Sequence, residues 1–288
     1  MKKRPLNYSR LCRCPKQFLR VTGLDIKRFD ELYKNIHSLI EEEDAKRKFR
    51  NNRIRKIGGG AQYSLHLKDR LLMTLIYYRT YATQDLLGFI FKLNRSNVCR
   101  VYRLISKCLP KYFKIPEKRL KIDSDKLIDL FIDGTEQPVN RPKQKGLRKE
   151  TYSGKKKGHR LKHQVTVSKD KDGKRKIESL SKSFKGRTHD KKMHDETKMI
   201  IPKDIDVYTD SGYLGTDYIM PKRKPKGREL TENEKERNKE IASKRCVNEH
   251  VIGFMKRYRI GRDQFRNRRQ DHNLIFKNIA GLSNMMLA

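Results

Sequence analysis

Between residues 110 and 124 the hydrophobic period of the chain changes from that of helices to that of strands, so both kinds of element must be accommodated. Upstream, Leu71, Leu72, Leu75 and Ile76 recur at helical spacing within Leu67 to Arg79. A second helix is predicted after Thr83, a good N-cap, and carries Leu86, Leu87 and Ile90. A third follows Asn94-Arg95-Ser96 and carries Val98, Val101, Leu104 and Ile105. Downstream, Leu127 to Ile132 is apolar apart from Asp129 and ends at Asp133-Gly134-Thr135. His159 to Ser168 alternates, and Asp172-Gly173 supplies a turn before Ile177 to Phe184. A helix around His189 to Ile200, stopped by Pro202, precedes a short buried strand, Ile205 to Thr209, which ends at Asp210-Ser211-Gly212. Thr231 to Tyr258 reads as a long charged helix, and a last helix carries Leu274, Ile275, Ile279 and Leu282. Strands followed by helices, with one strand added late, predict a mixed α/β sheet preceded by an all-α region.

This divides the chain into a basic N-terminal arm and helix (1–60), a helical domain (61–112) and an α/β domain (122–288). The first segment contains a predicted helix, Asp25 to Glu43, and a basic loop, Asn51 to Gly60. Pro110 to Ser124 is a Lys-rich linker. In the helical domain, a short helix, a polar turn and a second helix displaying Arg95, Asn97, Arg100 and Arg103 make a helix-turn-helix pattern for DNA. An ordinary three-helix bundle with a solvated basic face has the same pattern. Charge favours the first reading, because 71 Lys and Arg against 34 Asp and Glu leave a net +37 spread over the whole chain. Such a surplus repels itself and favours a polyanion, from which each neutralised phosphate releases counterions. Apolar stretches such as Leu71 to Tyr78 are too short to cross a bilayer. Five cysteines without a paired CxxC fit a reducing, cytoplasmic setting, in contact with the nucleoid.

Asp133 and Asp210 each close an apolar strand and are each followed by glycine, directly or after one serine. Strand ends are where open α/β sheets place their sites. A carboxylate there can reach a hard cation, and the glycine leaves room for a phosphate backbone. On the long helix, Arg245, Glu249 and Lys256 fall within about 40° of one another around the axis. Val247, Val251, Phe254 and Tyr258 occupy the other side, with Ile252 out of place among the charges. Taken singly, each Asp also reads as a turn residue and the Arg–Glu pair as a surface ion pair. The conjunction of two strand-end aspartates, a helical glutamate and a very basic chain points to metal-dependent phosphodiester chemistry.

At these residues the chain resembles bacterial insertion-sequence transposases of the IS-five type. The matching segments are Phe131-Ile132-Asp133-Gly134-Thr135-Glu136, Tyr152-Ser153-Gly154-Lys155-Lys156-Lys157, Phe184-Lys185-Gly186 with His189-Asp190, and Asp210-Ser211-Gly212-Tyr213. The Arg245, Glu249, Lys256 spacing resembles the helix signature of that family, with Ala242 replacing a Tyr of sister groups and Asn248 replacing an aliphatic residue. The resemblance implies an RNase H-like mixed sheet flanked by helices, preceded by a helix-turn-helix domain. It also implies that Asp133, Asp210 and Glu249 are the catalytic, metal-holding DDE triad, binding two Mg²⁺ ions for which Mn²⁺ can substitute. Lys155, Lys156, Lys157, Arg245 and Lys256 would hold phosphates. Lys222 to Arg228, a basic run with Pro221 and Pro225, itself reads as a flexible DNA-contacting insertion. The implied partners are double-stranded DNA, as transposon ends and target, and a second copy of the chain. Two alternatives stay open: a metal-dependent nuclease without strand transfer, and a domesticated DNA-binding protein.

Overall fold

A computed structural model of the chain describes residues 5–49, 54, 63–118, 120, 127–202 and 205–287, with only the backbone at 127–128. It divides into two compact units, Met1–Lys114 with Arg257–Ile260, and Ile115–Lys256 with Gly261–Ala288.

The first unit is helical: α1 (Tyr8–Leu11), α2 (Pro15–Thr22), α3 (Ile26–Lys48), α4 (Leu67–Thr80), α5 (Gln84–Phe91) and α6 (Arg95–Phe113). The arm is therefore helical from Tyr8 onward, ahead of the helix predicted from Asp25. Asn7 caps α1 by accepting from the Arg10 N–H, and Pro15 sits in the first turn of α2, where its missing N–H leaves no bond unmade. Phe18 is fully buried, edge-on to Phe29 of α3 at 5.2 Å. Asp25 caps α3, and Thr83 caps α5 as expected, accepting from the Leu86 N–H at 3.2 Å. The basic loop from Asn51 to Gly60 lies, apart from Ile54, outside the described residues. Helix α6 continues through Pro110 and stops at Lys114, whose φ of 49° turns the chain out of the helix, so the linker begins later than its composition suggested. Tyr258 is fully buried in this unit, with the Arg79 guanidinium 5.4 Å from its ring centre.

The second unit contains β1 (Leu127–Pro138), α7 (Lys145–Thr151), β2 (Tyr152–Ser153), β3 (Gly158–Asp170), β4 (Arg175–Leu180), β5 (Phe184–Lys185), α8 (Asp190–Thr197), β6 (Asp206–Tyr208), α9 (Glu232–Met255) and α10 (His272–Leu287). The central order is β4-β3-β1-β6, with β2 and β5 also paired to β3. The β4–β3 and β3–β1 pairs are antiparallel and the β1–β6 pair is parallel, the mixed order of an RNase H-like sheet. Strand β1 does not end at Asp133 but runs on to Pro138, because β3 is long enough to pair with it throughout. His163 to Ser168 of β3 are all buried, with no exposed face, since helices cover both sides. On one side Phe131 stacks on Tyr208, and Lys244 of α9 donates to the Tyr208 hydroxyl at 2.6 Å. His163 stacks there on Phe276 of α10 at 4.4 Å. On the other side Leu130, Ile132, Val207 and Tyr213 form a core, and α8 packs near Gly134 through Met193.

Two helix ends differ from expectation. Helix α8 stops at Lys198, which adopts φ 49°, before Pro202 is reached. Helix α9 ends at Met255, so Tyr258 is not on it; its start carries a reciprocal capping box between Thr231 and Glu234. Among the described residues no helix is long and apolar enough to cross a membrane.

Candidate active site

Strands β1 and β6 pair as Asp129 with Asp206, Leu130 with Val207 and Phe131 with Tyr208. The same offset, carried two residues on, brings Asp133 level with Asp210. The Asp133 carboxylate accepts from the Gly134 N–H at 2.7 Å, and that of Asp210 accepts from the Gly212 N–H at 2.9 Å, capping the tight turn Ser211–Tyr213. Burial pushes the Asp133 carboxyl up to about 6, helped by the nearby charges of Asp210 and Asp190 and opposed by the Gly134 N–H and Arg245.

Asp190, at the first turn of α8, stands between the two aspartate turns. A Cβ on Gly134 would lie 3.3 Å from Asp190 Oδ1. A Cβ on Gly212 would lie 3.0 Å from Asp190 Oδ2 and 2.9 Å from Asp210 Oδ1. These two glycines therefore make room for a third carboxylate, whereas sequence reasoning assigned that space to a phosphate backbone. Lys162 of β3 sits 3.1 Å from Glu136 and 3.7 Å from Asp190 Oδ1, and donates to the Thr188 carbonyl. Burial raises the Asp190 carboxyl, with Lys162 opposing and Asp210 reinforcing the shift. In the sequence His189-Asp190 looked like a helix start; its meeting with two glycine turns far along the chain left no local signal.

Helix α9 supplies the basic side. Arg245 lowers and Lys256 feels the charge of Asp133, so both lie within its electrostatic reach. Burial depresses the Lys256 ammonium, while Asp133 and then Glu136 favour its charged form. Glu249 lies between them on the same helical face but is exposed. The buried set of α9 is Ile241, Val247, Asn248, Val251, Ile252 and Met255, a wider arc than the wheel suggested, with Ile252 inside it and Phe254 half-buried. Asn248 is buried with neither amide atom hydrogen-bonded.

The remaining nominated cations fall into two groups. Lys155, Lys156 and Lys157 are exposed in the turn joining β2 to β3. Beside that turn a basic cavity of about 730 Å³ is lined by Arg141, Lys145, Arg148, Lys149, Tyr152 and Arg187, most of which sequence reasoning passed over because α7 is too short to show a pattern. In the first unit Arg95, Asn97 and Arg100 are exposed along the start of α6, whereas Arg103 is half-buried, against its expected exposure. Lys222 to Arg228 forms neither helix nor strand, yet it is tied to α9 through the Lys222–Glu234 and Arg228–Glu234 ion pairs, where a free insertion was expected.

The donor set fits a hard divalent cation. Asp133, Asp190 and Asp210 offer carboxylate oxygens, and the Tyr213 hydroxyl is buried without a hydrogen-bond partner in the field of all three. As they stand, no three Asp, Glu, His or Cys side chains among the described residues are close enough to hold one ion.

Comparison with known proteins agrees with this geometry. Residues 132–284 match the family described as DDE superfamily endonuclease, and residues 63–114 match the helix-turn-helix of DDE superfamily endonuclease. A Microchaete diplosiphon protein named "Probable transposase for insertion sequence element IS702" is 30% identical, with 95% of each chain covered. A Streptomyces albus G protein named for the same role in insertion sequence element IS112 is 30% identical over 71% of this chain and 74% of its own. The chain belongs to the DDE superfamily of endonucleases, in the helix-turn-helix branch of insertion-sequence transposases.

Proposed function

We propose that this transposase binds the terminal inverted repeats of an insertion sequence, cleaves DNA there and joins the freed 3′-hydroxyl to target DNA. The observation that carries the reading is the parallel β1–β6 register, whose offset brings Asp133, within β1, level with Asp210, just past the end of β6. Asp133, Asp210 and Glu249 are assigned as the acids that hold two Mg²⁺ ions, with Mn²⁺ as a substitute. When bound, such ions supply Lewis-acid activation of the attacking oxygen and neutralise charge on the leaving one. The chain itself does the rest. Arg245 and Lys256 balance the acid cluster and hold the scissile strand, and Lys155, Lys156 and Lys157 hold backbone phosphates as point charges beside the basic cavity. Division of labour follows the two units. Arg95, Asn97, Arg100 and Arg103 of the helix-turn-helix recognise the repeats, with a second copy of the chain holding the other end. Arg100 donates to Asn97 at 2.8 Å, which orients both at the start of the recognition helix.

The test is purified protein with Mg²⁺ and labelled element ends, scored for cut and joined products. Asp133→Asn and Asp210→Asn are expected to lose both products and keep repeat binding. Cutting without joining would favour a nuclease, and repeat binding with neither product would favour a DNA-binding protein.

A further inference from the structure

We propose that the basic cavity beside α7, β2 and the start of β3 is a binding site for unpaired DNA, stacking one base on Tyr152 and holding the adjoining phosphates through Arg141, Arg148 and Arg187. The inference rests on the reading of this chain as a protein that acts on DNA ends, and on none of the acid assignments.

Three observations carry it. First, the cavity, about 730 Å³, has the size of a site for a whole nucleotide, and its cations come from three separate segments. Arg141 follows β1, Lys145, Arg148 and Lys149 belong to α7, and Arg187 follows β5. The acid beside them in sequence, Glu150, is taken by Lys185 at 2.5 Å, and among the described residues none of the five forms a salt bridge. Arg148 also has a buried Nε without a hydrogen-bond partner. Like charges gathered in this way repel one another, and phosphates neutralise them.

Second, the wall is built. A Cβ on Gly186 would lie 2.5 Å from the Thr151 carbonyl oxygen and 3.0 Å from that of Arg160. Glycine there lets the chain pass close enough for the Arg187 N–H to donate to the Glu150 carbonyl at 3.0 Å. Tyr152 is 45% exposed, and its ring stands edge-on to His159 at 5.7 Å. His159 is itself fixed, its Nδ1 hydrogen-bonded to the Thr151 hydroxyl at 3.1 Å. An aromatic ring held open to solvent and rimmed by cations is the platform that single strands use: the base stacks and the phosphates meet the cations. Duplex phosphates alone would give the tyrosine no role.

Third, the cavity is within reach of the Asp133 end of the sheet. Strand β1 runs on from Asp133 to Pro138, which pairs with Arg160, and the Val139 N–H donates to the His159 carbonyl at 2.9 Å. At about 3.4 Å per residue this is about 17 Å, or about five nucleotides of one strand. Lys156 bridges the two places, because its charge acts on Lys256 and Gly154 of the same turn lines the cavity.

The experiment titrates the full-length protein, in EDTA, into fluorescein-labelled oligo-dT carrying one aminopurine base, reading anisotropy together with quenching of the aminopurine. The wild type is expected to bind and to quench. Tyr152→Ala should weaken binding about tenfold and abolish the quenching, and Tyr152→Phe should keep both. Arg148→Gln combined with Arg187→Gln should flatten the slope of log affinity against log salt by about 0.7 for each cation removed. Lys174→Gln, in the exposed turn between β3 and β4, should behave as the wild type does. Unchanged affinity and quenching in Tyr152→Ala overturns the proposal. So does complete reversal of the quenching by an equal concentration of blunt duplex without the terminal repeats. Wild-type protein that quenches but yields neither cut nor joined element ends would sink the functional reading and not the cavity, so the two failures are distinguishable.

Discussion

Helices α8 and α9 both flank β1, and each carries an acid on the side it covers, Asp190 on α8 and Glu249 on α9. Their acids differ in every local respect. Asp190 of α8 is held among polar and charged neighbours, against two glycines and beside Lys162. Glu249 of α9 is exposed and is flanked on its face by Arg245 and Lys256, the cations that act on Asp133. A helical wheel gives the direction of a side chain but not its distance from a neighbouring element. The sequence favoured Glu249 on direction alone, while Asp190 owes its place to a tertiary approach that no periodicity encodes.

The largest expected effect separates these two acids. Glu249→Gln should reduce cleavage of element ends by at least about 10³-fold, like Asp133→Asn and Asp210→Asn, because it removes a charge that acts in the transition state. Asp190→Asn, which changes the surroundings of those acids without removing an assigned one, should reduce cleavage less. Near-normal cleavage by Glu249→Gln, assayed on labelled ends, would remove Glu249 from the assigned acids.

Crowding Asp190 comes next. Gly212→Ala pushes a methyl to 2.9 and 3.0 Å from two carboxylate oxygens, and Gly134→Ala pushes one to 3.3 Å from one. Overpacking of this kind costs about 1–3 kcal/mol, so both variants should melt earlier, with Gly212→Ala the worse. Combining Gly134→Ala with Asp190→Ala should recover stability. Equal melting temperatures for the two single variants would mean that Asp190 moves aside freely.

How much of this was legible follows from the range of each interaction. In the helix-turn-helix the caps, the spacing of Val98, Val101, Leu104 and Ile105 and the exposure of Arg95, Asn97 and Arg100 are local, and local pattern found them. Asp133 and Asp210 stood out because Asp-Gly and Asp-Ser-Gly follow apolar runs, but Asp133 is not at a strand end, because β1 continues to Pro138 along its partner β3. The two short helices before Asp25 were missed because their apolar positions, such as Phe18 and Leu11, are few and scattered among cations. Asp190 was missed because glycine in a turn has a ready local explanation, and only the folded chain shows what fills the space it leaves.

The stability of the metal-free protein offers a subtler probe. The Asp133 carboxyl is raised from an ordinary 3.8 to about 6, so the folded state binds its proton more tightly than the unfolded state does. Its contribution is complete below pH 3.8 and is lost as pH rises through about 6. Asp133→Asn should therefore stabilise the metal-free protein at neutral pH by about 2 kcal/mol, allowing for partial exposure, and change little near pH 3.5. Denaturant melts in EDTA at both pH values check this, and equal stabilisation at the two would rule out a titrating carboxyl as the cause.

The smallest effect brings the two helices onto one observable. Asp190 of α8 raises the Asp133 carboxyl and Arg245 of α9 lowers it. Removing the first charge with Asp190→Asn should move the Asp133 titration toward acid, and removing the second with Arg245→Gln should move it toward base. Carboxyl-carbon NMR of the metal-free protein reads both shifts directly. Opposite displacements would mean that Asp133 sits between a negative helix and a positive one, an arrangement suited to gripping cations on one side and a phosphate on the other. If both variants move the titration the same way, repacking outweighs charge, and the electrostatic contrast between α8 and α9 does not hold.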